Sequence, residues 1–231
     1  MALELHRHAD AAALDAALAE MVAGKLREGV RRRGSASMVL SGGRTPRGLF
    51  ARLAATRLPW DRIRITLADD RWVPADHPDS NERTVRSVLL QHEAAAARFV
   101  PLYNGAPDPW SGLDAAQTAL AQLPRPFDVV LLGMGEDGHT ASLFPAADTL
   151  PAPSAAVTPV CIGVRPVGAP HDRLSLTPAA LLDTRWLALH FTGAAKWSVL
   201  CEALEPGPVE TLPVRSVIQQ DQVPCRVYWT L

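Results

Sequence analysis

Short apolar runs alternate with amphipathic stretches along the whole chain, and most runs end in glycines or charged residues. Leu14, Leu18, Met21, Val22 and Leu26 recur at helical spacing, which predicts an amphipathic helix over residues 9–33 that stops near Gly34. Arg31, Arg32 and Arg33 suit the negative end of its dipole, with an anion-binding role as the sharper alternative. Residues 37–40 predict a strand running into SGGRTP (41–46), with Pro46 at the first position of a helix through Leu49 and Leu53. Residues 63–68 predict a second strand ending in Asp69, Asp70 and Arg71. Residues 79–82 then offer N-caps for a helix through Val85, Val88 and Leu89.

Residues 104–112 read as a loop and 113–123 as a short helix. Residues 127–132 form an unbroken apolar run, the pattern of a parallel strand buried on both faces, and break into Gly133, Gly135 and Gly138 with Asp137 and His139 among them. A Pro/Ala-rich stretch from Pro145 to Pro159 reads as a linker by composition or as a loop flanking a site. Strands are predicted at 160–164, 173–177, 186–191 and 227–229, with Pro178 opening one helix and residues 194–204 forming another. This alternation predicts an α/β fold: a three-layer α/β/α arrangement, mostly parallel and open, with helices on both faces.

At 231 residues the chain fits one α/β domain spanning 1–231. A net charge of -1 leaves no basic footprint for nucleic acid, and no apolar run nears the ~18 residues of a membrane span. The N-terminus lacks the order of a signal peptide, and Cys161, Cys201 and Cys225 show no metal-ligand pairing, so a cytoplasmic protein with reduced thiols is expected.

Four constellations could carry chemistry. SGGRTP places backbone N–H groups, freed of bulk by Gly42 and Gly43, beside the Ser41 and Thr45 hydroxyls at a helix start; it is either an anion site or an ordinary βα turn. It lacks the Gly-Lys-Ser/Thr ending of a Walker A loop. Residues 133–138 satisfy G-x-G-x-x-G, but Pro145 would cut the following helix and no ribose-binding acid closes a second strand, so a dinucleotide site is rejected. His139 follows at the strand end, where amide-rich surroundings favour a neutral ring ready to take a proton, with Asp137 and Asp69 as candidate supports. Arg71, Arg173 and Lys196 are singly surface charges and together, with SGGRTP, the surround of a phosphate.

SGGRTP, DDRWVPADHPDSN, LLGMGEDGHTASLFP, RLSLTPAALL and GAAKW resemble, in order and spacing, the 6-phosphogluconolactonases. The resemblance implies the fold shared with glucosamine-6-phosphate deaminase and ribose-5-phosphate isomerase. It also implies hydrolysis of a small-molecule sugar phosphate lactone, 6-phosphoglucono-1,5-lactone, with no cofactor required; no metal is expected, and a monomer or weak homo-oligomer is expected beside it. Carried over by position, it sets His139 as general base supported by Asp137 and Asp69. The phosphate falls on Ser41, Gly42, Gly43 and Thr45, between Arg173 and Lys196, with Arg71 at the substrate. Two positions depart: Arg44 stands where the family usually has Ser, and Asp70 where it usually has Glu. The related deaminases carry a glutamate before the proline of the His motif, where this chain has Phe144. A sugar-phosphate-binding regulator of the same fold is the non-enzymatic alternative.

Overall fold

The computed structural model describes residues 3–145 and 159–231. Most of the Pro/Ala-rich stretch, residues 146–158, lies outside the described residues. In chain order the elements are β1 (Leu3–Arg7), α1 (Ala11–Arg33), β2 (Ala36–Leu40), α2 (Arg47–Ala54), β3 (Ile63–Leu67), β4 (Asp69–Arg71), α3 (Asn81–Thr84), β5 (Arg98–Phe99) and α4 (Leu113–Leu120). There follow β6 (Val129–Leu132), β7 (Cys161–Val164), β8 (Arg173–Leu176), α5 (Pro178–Leu182), β9 (Leu187–Thr192), α6 (Ala194–Leu204), α7 (Arg215–Ile218) and β10 (Cys225–Thr230).

The long helix α1 forms where its pattern predicts. The Asp10 side chain accepts the Ala13 N–H at its start, and Gly34 closes its end. Leu14, Leu18, Val22 and Leu26 are fully buried, whereas Met21 sits on the solvent side of that stripe. Pro46 precedes α2 as its N-cap residue, one position earlier than expected. The basic cluster at the end of α1 is engaged by acids: Arg32 pairs with Glu28, and Arg33 with the buried Asp128.

Seven strands form a parallel sheet in the order β1-β10-β9-β6-β2-β3-β5. Every residue of β2 and β6 is buried, so both faces are covered. Helix α1 packs against α2, β2, β6 and β10, while α6 packs on β9 and on α7.

Residues 69–71, 161–164 and 173–176 depart from the expected alternation. They form a separate antiparallel sheet in the order β4-β8-β7. The two sheets part at Ala68, whose N–H goes to Leu40 O in the large sheet while its carbonyl takes the Leu176 N–H of the small one.

The strand order places the ligand crevice. From β2 the chain moves outward to β3 and β5, then returns to the other side of β2 with β6 and continues to β9 and β10. The reversal falls between β2 and β6, and in such sheets the loops leaving the C-terminal ends of the strands diverge there. Those loops carry SGGRTP and the His139 stretch.

At the opposite end of the same strands, Asp128 ties α1 to the sheet. Its Oδ2 accepts the Ser37 N–H at 2.9 Å, and its Oδ1 pairs with Arg33 and lies 3.8 Å from Arg185. Replacing Asp128 with Ala leaves Arg33 and the Ser37 amide without their partner. A loss of about 3 kcal/mol is expected, read as a lower urea midpoint at unchanged m-value.

Candidate active site

His139 is positioned by the backbone around it. After β6 the chain turns through Gly135, whose N–H donates to His139 O at 2.9 Å. A Cβ at Gly135 would lie 2.2 Å from His139 Nδ1, so only glycine admits the ring here. Asp137 Oδ1 accepts the His139 backbone N–H at 3.1 Å and lies 2.5 Å from Nδ1. That carboxylate assigns the ring proton to Nδ1 and leaves the Nε2 lone pair free. Burial works against the charge of Asp137, but the hydrogen bonds and charge of His139 outweigh it and hold the carboxyl below the usual range. Phe144 lies against the imidazole, ring centroids 4.6 Å apart, and Arg173 sits over the same phenyl ring at 5.2 Å.

His139 opens onto a cavity of about 430 Å³. Ser41, Gly42, Gly43, Arg44 and Thr45 line it from the loop after β2, with Asp69 and Arg71 from β4, Arg173 from β8 and Lys196 from the first turn of α6. Of the residues given a catalytic or binding role in the sequence, Asp137 alone is off this wall, braced behind His139. Asp69 lines the wall but is engaged elsewhere than expected. Its Oδ2 accepts the Ser142 hydroxyl at 2.5 Å and stands 4.0 Å from Arg173, and it makes no hydrogen bond to His139.

Ser41 Oγ, Arg71 Nε, Arg173 Nε and His190 Nε2 are buried polar atoms with no hydrogen-bond partner among the described protein groups, though Asp15 Oδ1 stands 3.9 Å from His190 Nε2, and all four residues line this cavity. Buried donors without partners are uncommon, so a cluster of them marks where a ligand or water completes the bonding. Burial pulls the Arg173 guanidinium below its ordinary range, with the Asp69 charge opposing, but an arginine stays charged.

Two residues of the wall were not singled out for chemistry in the sequence. Asn81 donates from Nδ2 to Asp69 O at 3.0 Å and accepts from Arg71 at 3.3 Å. It also packs so closely on Gly42 that a Cβ there would lie 2.1 Å from its side chain. Asp70 sets the turn that presents it, accepting the N–H groups of Arg71, Asn81 and Glu82; burial nevertheless pushes its carboxyl up to about 6. His190, the second, sits in β9, and a histidine interrupting the apolar run LALHFT was its only signal. Burial, and then the charge of Lys196, push it down to about 4, so it is neutral at pH 7.

Residues 9–229 match the family model described as glucosamine-6-phosphate isomerases/6-phosphogluconolactonase. The chain belongs to this family. A 6-phosphogluconolactonase of Mesorhizobium japonicum is 43% identical over 94% of this chain and 90% of its own length. One of Pseudomonas putida is 41% identical over 99% and 93%. The crystal structure of a 6-phosphogluconolactonase from Shewanella baltica superposes with a TM-score of 0.96 at 42% identity, covering 99% of this chain and 98% of that one.

Arg44, where the resemblance implies Ser, is exposed at the cavity and adds a cation to its wall. Asp70 serves the 80–82 turn from beneath and does not line the cavity.

The buried His190 sets a pH prediction. The unfolded chain takes up its proton near pH 6.5, whereas the folded chain resists until about pH 4. Stability from this group is therefore complete above 6.5 and falls by about 3 kcal/mol as pH drops through that window. Asp70 acts in the opposite sense between 3.8 and about 6, because its folded-state carboxyl is the one protonated first. The difference in unfolding free energy between wild type and His190→Gln, in which the Asp70 contribution cancels, is expected to shrink steadily from pH 7 to pH 4.

Proposed function

We propose that this chain hydrolyses 6-phospho-D-glucono-1,5-lactone to 6-phospho-D-gluconate, the lactonase step of the oxidative pentose phosphate pathway. One observation carries the reading: a carboxylate-braced imidazole shares a single cavity with buried, unpartnered cationic and hydroxyl donors. The substrate needs both features, a dianionic phosphate to hold and an ester carbonyl for activated water to attack.

Nε2 of neutral His139 takes a proton from water as the oxygen adds to C1, and Asp137 stabilises the imidazolium that forms. Arg71 or backbone N–H groups receive the developing oxyanion. The C1–O bond to the ring oxygen then breaks, and the imidazolium returns its proton to that oxygen. Ser41, Thr45, Arg173 and Lys196 hold the phosphate remote from C1, so binding energy fixes the geometry of attack. Ser142 is not a nucleophile in this scheme, since its hydroxyl is committed to Asp69.

The related deaminase reading is disfavoured by Phe144, which fills the space beside His139 with a ring that relays no proton. A binding-only regulator would have no use for the Asp137–His139 pair. We further propose that the 231 residues work as one cytoplasmic domain, a monomer or weak homo-oligomer. Among the described residues no helix is long and apolar enough to cross a membrane.

His139→Ala is expected to lower kcat for the lactone by about 10²–10⁴-fold over the spontaneous background. Arg173→Ala is expected to raise KM about tenfold or more through the lost charged hydrogen bonds. Ammonia release from glucosamine 6-phosphate should stay at background. A His139→Ala enzyme with wild-type kcat would reject the assignment.

A further inference from the structure

The strands β4 and β8 run antiparallel with Arg71 opposite Arg173, and both arginines line the cavity. Just beyond that pair, the Trp72 N–H donates to Asp172 O at 2.7 Å, so the loop leaving β4 and the loop entering β8 start side by side. Two histidines and an aspartate converge there: His77 and Asp79 from the first loop, His171 from the second. None of them has a part in the hydrolysis described above.

The donor atoms already share one centre. His171 Nε2 lies 3.0 Å from Asp79 Oδ2, His77 Nδ1 lies 3.9 Å from the same oxygen, and all three atoms fall within 4.8 Å of one another. His77 Nδ1 accepts the Asp79 backbone N–H at 3.1 Å, a bond that its one lone pair gives up when it ligates a metal. Arg71 donates to Asp79 O at 2.6 Å and so fixes the backbone of the middle ligand. His171 is held at φ 68°, a conformation uncommon for a residue with a side chain. An exposed ion pair returns too little to explain that strain.

We propose that His77 Nδ1, Asp79 Oδ2 and His171 Nε2 bind a divalent transition-metal cation of the Zn²⁺ type, which clips the loop after β4 to the loop before β8. Zinc–nitrogen and zinc–oxygen bonds of about 2.0–2.2 Å put tetrahedral donors about 3.3–3.5 Å apart, between the two spacings observed here. Two imidazoles with one carboxylate select zinc and its neighbours over magnesium or calcium, and the half-exposed setting leaves a fourth position for water. On binding, the proton that His171 Nε2 shares with Asp79 passes to solvent. The metal takes no part in the reaction. Its effect is to fasten together the two strands that carry Arg71 and Arg173.

The test is calorimetric titration of chelator-stripped protein with Zn²⁺ alone, beside His77→Ala, His171→Ala, Asp79→Asn and His139→Ala. One equivalent should bind to wild type and to His139→Ala, the latter showing that the Asp137–His139 pair is not the zinc ligand. His171→Ala and Asp79→Asn should bind about tenfold or more weakly. Zinc should raise the Tm of wild type and leave that of His77→Ala unmoved. If His171→Ala does not fold, His77→Ala on its exposed loop serves in its place. Equal affinity in wild type and either histidine variant, or no stoichiometric binding by wild type, overturns the proposal.

Discussion

A guanidinium is costly to bury, and Arg173 is 8% exposed with its nearest carboxylate oxygen 4.0 Å away. That distance is too long for a hydrogen bond, so Asp69 balances the charge without using up the donors. Phe144 lies against the group, and the buried Arg173 Nε has no hydrogen-bond partner among the described protein groups. Arg71 Nε and Ser41 Oγ are left in the same condition. The fold thus leaves three polar side chains of one cavity wall each with a hydrogen-bonding atom unused by the described protein groups. Under the phosphate-binding role proposed for Arg173, tying it off with a closer carboxylate would stabilise the empty protein and weaken its grip on the anion.

The same logic separates the two carboxylates that the sequence grouped around His139. Asp137 is two residues away and reaches the ring through a local turn, so its pairing depends only on the sharp glycine corner before it. Asp69 comes from a different strand, and its direction is set by the small sheet. Its hydrogen bond to Ser142 keeps it on the arginine side of the cavity.

Local features were legible in the sequence. SGGRTP, the His139 loop, the helix starting at Ala194 and the helix opened by Pro178 each depend on residues within a few positions of one another. What escaped was non-local. The strand β4 is three residues long and is recognised as a strand only by its partner a hundred residues on. Asn81 reads as a helix cap, and it becomes part of the cavity wall only because Asp70 folds the 80–82 turn back onto Gly42. His190 lies in a run that was correctly read as buried, and nothing in a buried run reveals which residue faces a cavity. Met21 failed for a simpler reason: it is one residue off a stripe spaced at four.

Ala68 joins these observations. Its amide belongs to one sheet and its carbonyl to the other, so the peptide units on either side form a seam shared by two plates. The helices and β2 anchor the first plate, while Arg71 and Arg173 ride on the second. Ser142, three residues after His139, bonds to Asp69 and to Ser175 of the second plate, so the imidazole and the two guanidinium groups are locked into one fixed spacing across the seam.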